Sequence, residues 1–248
     1  MKKIVALFTG SFLLFQALAQ SPCLPDGITF STQEAIDNFQ VNYPGCTEIE
    51  GGVHIEGNDI TNLAGLSALN TIGGTVFIGD MGNTGNPLLI SFIGLENLSY
   101  IGGNLWINFN TALTSLSGLE NLTSIGGNLW IYDNDYLTEI SGLANLTTTG
   151  GDLNLYENNL LTSLAGLENV TNVGEDLQII GNSTLTNLTG IQSLTFVGGD
   201  LIIDDCDDLI NLYGLDNLGA IGGALKISFN NDLVNISGLE NLAAGSIE

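Results

Sequence analysis

The chain has 248 residues, 27 of them acidic and three basic, a formal charge of −24. That sign repels nucleic acid and anionic lipid and excludes nucleic acid as a partner. Yet 44% of the residues are hydrophobic, which excludes a disordered acidic tail and supplies material for a core.

In chain order, Lys2 and Lys3 precede a mostly apolar run from Ile4 to Phe15, and Ala17-Leu18-Ala19 comes next as a small-x-small cleavage site. Residues 1–19 therefore read as a secretory signal peptide. The run is too short to cross a membrane as a mature helix, and no later stretch is apolar for long enough. Cleavage after Ala19 leaves 27 acids against Lys226 alone, a formal charge of −26. Gln20-Ser21-Pro22 is not a lipobox, so no lipid anchor is expected on Cys23. The expected location is exported: secreted, periplasmic or at the cell surface.

Residues 20–48 differ in composition from the rest of the mature chain and read as an N-terminal cap. Ser31-Thr32-Gln33-Glu34 has the capping-box pattern, with Ala35, Ile36 and Phe39 after it at helical spacing. Three cysteines in an exported chain suggest one disulfide and one thiol. Cys23 and Cys46 flank the cap while Cys206 lies far away inside a repeat, so Cys23–Cys46 is the expected pair.

From Ile49 to Ala244 the sequence repeats itself. Ile101-Gly102-Gly103, Ile125-Gly126-Gly127, Thr149-Gly150-Gly151, Val173-Gly174-Glu175, Val197-Gly198-Gly199 and Ile221-Gly222-Gly223 begin at intervals of 24. The coil starting at Ile72 is five residues longer, around Met81-Gly82-Asn83-Thr84-Gly85, and the one starting at Ile49 is one residue short. Counting from that first residue, positions 5 and 7 are apolar in all of the roughly eight coils, the period of a half-buried strand. Apolar positions 13, 16, 19 and 22 supply inward residues for the remaining sides. The buried aliphatics of one coil do not offset the entropy of ordering it, so the coils must stack. The expected fold is mainly β: a single-stranded, right-handed parallel β-helix, or leucine-rich-repeat-like solenoid, with a short helical cap. Residues 245–248 begin an incomplete coil, which suggests the front of a longer protein.

Position 10 holds Asn58, Asn110, Asn134, Asn158, Asn182 and Asn230, with Asn86 after the insertion and Cys206 in the seventh coil. Stacked Asn side chains at a turn satisfy orphan backbone groups and form a ladder. Leucine-rich repeats place Asn or Cys at the matching point, so Cys206 reads as a buried ladder residue.

Cys46-Thr47-Glu48-Ile49-Glu50-Gly51 leading into Val53-x-Ile55, and GLENLSYIGGNLWI at 94–107, resemble the receptor L domain. This is the leucine-rich-repeat-like solenoid of growth-factor-receptor ectodomains and of secreted Bacteroidota-type proteins. The resemblance covers Cys23 to Leu242. It implies a solenoid in an extracellular setting, and no particular ligand.

If positions 5 and 7 point inward, positions 4, 6 and 8 of the same sheet point outward. Position 6 reads His54, Phe77, Trp106, Trp130, Asn154, Gln178, Ile202 and Lys226, and position 8 adds Tyr132 and Tyr156. Phe77, Trp106, Trp130, Tyr132 and Tyr156 are the candidate binding residues, because flat aromatics at a regular rise suit a sugar or a protein partner. The alternative is that the rings cover the sheet and stabilise one another across strands. Asp152, Asp176 and Asp200 form a column at position 4, and Asp204, Asp205, Asp207 and Asp208 surround Cys206. These read either as a solvated acidic face or as a calcium site; no other cofactor is expected.

Catalysis is not expected. His54 is the only histidine, arginine is absent, and the Cys/His set for zinc is missing. The expected function is a non-catalytic binding module for an extracellular protein or carbohydrate. The alternatives are a purely structural envelope protein and, less favoured, a β-helix polysaccharide hydrolase using paired carboxylates.

Overall fold

The computed structural model describes residues 22–79 and 85–243. The expected signal peptide (1–19), residues 80–84 of the inserted loop and the incomplete coil at 245–248 lie outside these residues.

The period-two pattern becomes a parallel β-solenoid. Positions 5 to 8 form a broad sheet from Val53–Ile55, Val76–Gly79, Leu105–Asn108, Leu129–Tyr132, Leu153–Tyr156, Leu177–Ile180, Leu201–Asp204 and Leu225–Ser228. A second, narrow sheet of eight two-residue strands runs from Glu48–Ile49 to Ala220–Ile221. All pairings are parallel and in register, so Leu105 faces Leu129 and Leu129 faces Leu153. Between the sheets each coil fills the interior from its remaining sides: Leu113, Leu116, Leu119 and Leu122 are all fully buried. In the last coil Leu225, Ile227, Leu233, Leu239 and Leu242 are only partly buried, because among the described residues that coil has a neighbour on one side only.

The cap does more than lid the first coil. Its strand Ile28–Phe30 extends the broad sheet to nine strands, pairing with Val53–Ile55. Two short helices come next, α1 (Gln33–Asp37) and α2 (Phe39–Asn42), which bury Ile36 and Phe39 against the solenoid. The N-cap is Thr32, one residue later than the capping-box pattern suggests; its hydroxyl accepts from Ala35 N over 3.2 Å. That shift frees Gln33 to bind the first coil, where its Oε1 accepts from Thr61 N (2.8 Å) and Asn62 N (3.2 Å). Cys23 and Cys46 are disulfide-bonded, tying the two ends of the cap together.

The position-10 ladder forms. Each buried ladder Asn donates to a carbonyl of the coil before it. Asn86, Asn134, Asn158 and Asn182 accept the backbone N–H of that coil's ladder residue, while Asn110 accepts from Asn86 Nδ2. Asn134, for example, donates to Ile107 O (2.9 Å) and accepts from Asn110 N (3.1 Å).

Asn58 is the exception and corrects the expected list. It is exposed, and its place is taken by Gly57, whose N–H donates to Asn86 Oδ1 over 3.0 Å. The reason lies in the missing residue of the first coil. In every longer coil the residue before the ladder adopts left-handed backbone, φ between 46° and 69°, as at Phe109, Asp133 and Asp205. The first coil lacks that residue, so the chain reaches the ladder point one residue early.

Cys206 is a ladder residue, fully buried, with its Sγ facing Ile179 O (3.7 Å) and Asp204 O (3.6 Å). Burial pushes its thiol up to about 11, against the backbone N–H of Asn182; Asp205, Asp204 and Asp207 add to the rise. The thiolate is the reactive form. Native protein at pH 8 is therefore expected to show no thiol reactive to Ellman's reagent, and one per chain after unfolding in guanidinium. Rapid labelling of the native protein would refute the ladder role.

Candidate binding face

The parallel register brings the outward aromatics into one continuous column. Thr29, His54, Phe77, Trp106, Trp130 and Asn154 are consecutive partners across the broad sheet. Phe77 stacks on Trp106 with ring centroids 5.6 Å apart, and Trp106 stacks on Trp130 at 4.6 Å. Trp130 leans on Tyr156 at 6.5 Å, and Tyr156 meets Tyr132 edge-on at 6.2 Å. All five expected residues are thus joined. Phe109 also belongs to the column, packing edge-on to Tyr132 at 5.0 Å. Its left-handed backbone turns it there, a feature that the alternation of inward and outward residues does not encode.

The rings are tied down as well as stacked. Trp130 Nε1 donates to the side-chain oxygen of Asn154 over 2.8 Å when that amide is oriented to satisfy both of its contacts. Tyr156 donates to Gln178 Oε1, and Gln178 Nε2 donates to Asp176 Oδ2 over 3.1 Å. Burial raises the Tyr156 hydroxyl pKa, with Asp152 and Asp176 adding to it. Trp106 Nε1 is buried without a hydrogen-bond partner among the described residues.

Ring-on-ring stacking alters the chemistry available. Trp106 turns one face to Phe77 and the other to Trp130, so neither is free for a sugar ring. Along the middle of the column the geometry matches rings that stabilise one another across strands. The stack ends at Phe77, where His54 meets it edge-on, centroids 5.1 Å apart and planes at 79°.

Beyond that end lies a trough of about 520 Å³, lined by Asp26, Thr29, His54, Thr75 and Phe77 over a floor that includes Gly27 and Gly52. The floor is bare because the backbones approach too closely for side chains. A Cβ on Gly27 would stand 2.4 Å from Gly52 O, and one on Gly52 would stand 2.7 Å from Thr75 O. His54 Nε2 lies 3.4 Å from Glu56 Oε2 and 3.4 Å from Gly79 O.

The acidic columns have structural duties. Position 4 forms a second ladder of side-chain oxygens that accept the next coil's backbone N–H. Thr75 accepts from Asn104 N (3.3 Å), Asn104 from Asn128 N (2.8 Å) and Asn128 from Asp152 N (3.1 Å). Asp152 then accepts from Asp176 N (3.0 Å), Asp176 from Asp200 N (2.7 Å) and Asp200 from Ala224 N (2.7 Å). Position 20 is equally occupied. Glu96, Glu120, Glu168, Asp216 and Glu240 each accept from the backbone N–H of the glycine two residues earlier. Where position 20 is Ser67 or Ala144, the turn is instead a short 3-10 segment, Ala64–Leu66 or Ser141–Leu143.

The calcium candidates are not gathered round one point. Asp204 pairs with Lys226 Nζ at 3.5 Å and accepts from Ser228, while Asp207 accepts from Asn231. Asp205 carries the left-handed turn, and Asp208 is exposed. Among the described residues no group of three or more Asp, Glu, His or Cys is arranged to hold a metal, and no helix is long and apolar enough to cross a membrane.

Fold and face together define a class: a capped parallel β-solenoid whose outer sheet carries an aromatic ladder ending in a trough. No protein-family model matches the chain, and no curated protein matches it.

Proposed function

We propose that this is an exported, non-catalytic binding module of the receptor-L-domain kind, which presents the capped end of its aromatic face to an extracellular glycan or protein. The observation that carries the reading is the trough beside Phe77: a concave site with ring, hydroxyl, imidazole and carboxylate groups on an otherwise regular surface. The Cys23–Cys46 bond supports an oxidising compartment. The position-4 and position-20 carboxylates accept backbone N–H groups, which supports a structural use for them over a hydrolytic one. A purely structural envelope protein accounts for the ring stack but has no use for the trough.

The test is a binding screen against arrayed glycans and purified extracellular proteins, with wild type and Phe77→Ala compared. A saturable ligand lost in the variant, with the melting curve still cooperative, is the expected result. If no glycan or protein binds saturably, the structural reading replaces this one.

A further inference from the structure

Resting on the binding-module reading, we infer that the trough takes a neutral oligosaccharide, and that recognition is centred there rather than along the tryptophan column. The ring faces decide the location. Trp106 is sandwiched between Phe77 and Trp130, whereas the stack terminates at Phe77, one of the trough's walls. A pyranose has an apolar face and a rim of hydroxyls. Phe77, stacked on Trp106 and met edge-on by His54, offers it the apolar outer edge of its ring, and Thr29, Thr75, His54 and Asp26 offer both donors and acceptors for the rim. The volume lies within the ~300–1,000 Å³ of small-molecule sites, and a protein partner would need a surface on the order of 1,000 Å² instead.

Charge selects within the sugars and against other ligands. Anionic ligands such as uronates or phosphates need a fixed cation, and the chain has no arginine. The one lysine of the described residues, Lys226, sits in the ninth strand of the broad sheet, while the trough spans the first three. A cationic ligand is drawn to the opposite end of the same face, where Asp152, Asp176 and Asp200 stand at position 4 of three successive coils; near the trough that position carries Thr75, Asn104 and Asn128. In its position-4 column the trough end is the uncharged end of the sheet, and Asp26 is the one carboxylate among the lining residues. Its floor is kept bare by the close backbone approach at Gly27 and Gly52, so no side chain fills it from below.

The experiment is calorimetric titration of the purified protein with cellohexaose, laminarihexaose and mannohexaose, with trigalacturonate and pentalysine as charged comparators. Phe77→Ala removes the ring, and the double variant Asp26→Leu/Thr29→Leu replaces polar rim partners with apolar bulk at exposed positions, sparing the core. Tyr213→Ala, exposed on another side of the solenoid, is the control. We expect at least one neutral hexasaccharide to bind, weakened about tenfold or more by both trough variants and unchanged by the control. Binding indifferent to both trough variants overturns the location. Trough-dependent binding of trigalacturonate or pentalysine with no neutral sugar bound overturns the ligand class and leaves the binding module standing. If none of the probes binds and the protein screen also finds no trough-dependent partner, both readings fall.

Discussion

Replacing Asn134 with alanine is expected to destabilise the protein by about 3–5 kcal/mol, because it removes several buried hydrogen bonds at once and orphans the Asn110 N–H. The Asn134 side chain is fully buried and bridges three coils. Its Nδ2 donates to Ile107 O (2.9 Å), Tyr132 O (3.1 Å) and Asn158 Oδ1 (3.3 Å), and its Oδ1 accepts from Asn110 N (3.1 Å). Alanine leaves the buried Asn110 N–H without its acceptor and takes the side-chain donor away from Ile107 O and Tyr132 O, the latter keeping Phe109 N at 3.1 Å. At ~2–4 °C per kcal/mol for a chain of this size, the melting temperature should fall by roughly 10 °C. Asn58→Ala at the same repeat position is the internal contrast. Asn58 is exposed and outside the ladder, so its loss should stay within ~0.5 kcal/mol. Equal effects at the two positions in chemical denaturation would mean that the ladder is not what holds the coils together.

The same pair shows what the sequence can convey. Strand positions 5 and 7, the inward positions from 13 to 22, the ladder role of Cys206 and the cap disulfide are all readable, because each rests on a repeated residue type or on elimination among three cysteines. Asn58 misleads because counting from the repeat start ignores where a missing residue falls; only backbone dihedrals show that the absent residue is the left-handed one. The position-4 column misleads for a chemical reason. Thr75, Asn104, Asn128, Asp152, Asp176 and Asp200 differ in charge but do one job, since hydroxyl, amide and carboxylate oxygens all accept a backbone N–H. Reading only the aspartates makes a structural ladder resemble a cation site. A column of mixed Thr, Asn and Asp at a fixed repeat position is the signal that identifies it.

The candidate site is half legible. Register comes from the repeat, so the adjacency of Phe77, Trp106, Trp130, Tyr132 and Tyr156 can be foreseen. Ring orientation cannot, because alternation fixes which side of a sheet a residue occupies and leaves its side-chain torsions open. Nor can the trough, which depends on the cap strand Ile28–Phe30 joining the sheet and bringing Asp26 and Thr29 beside His54. A short strand inside a segment that otherwise reads as a helical lid carries no periodic signature of its own.

The pitch that stacks the rings is set on another side of the coil, and a single methyl group should disrupt it. Gly118 has φ 111°, and a Cβ there would stand 2.1 Å from Phe92 O and 2.3 Å from Phe92 C of the preceding coil. Backbone cannot yield as a flexible side chain does, so Gly118→Ala must strain a left-handed turn and push two coils apart. A loss of about 4 kcal/mol or more is expected, at the severe end for a point mutation. Gly219→Ala is the control: its Cβ would meet nothing closer than Thr195 O at 3.7 Å, and it should stabilise by ~0.4–1 kcal/mol through the unfolded chain. The structural readout is as informative as the energetic one. Phe77 and Trp106 stack 5.6 Å apart in the two coils that the Gly118–Phe92 contact joins, so the near-ultraviolet circular dichroism of Trp106 reports their spacing. If Gly118→Ala unfolds at the wild-type temperature with that signal intact, the close approach of the coils does not set the pitch, and the aromatic column is aligned by the strand ladder alone.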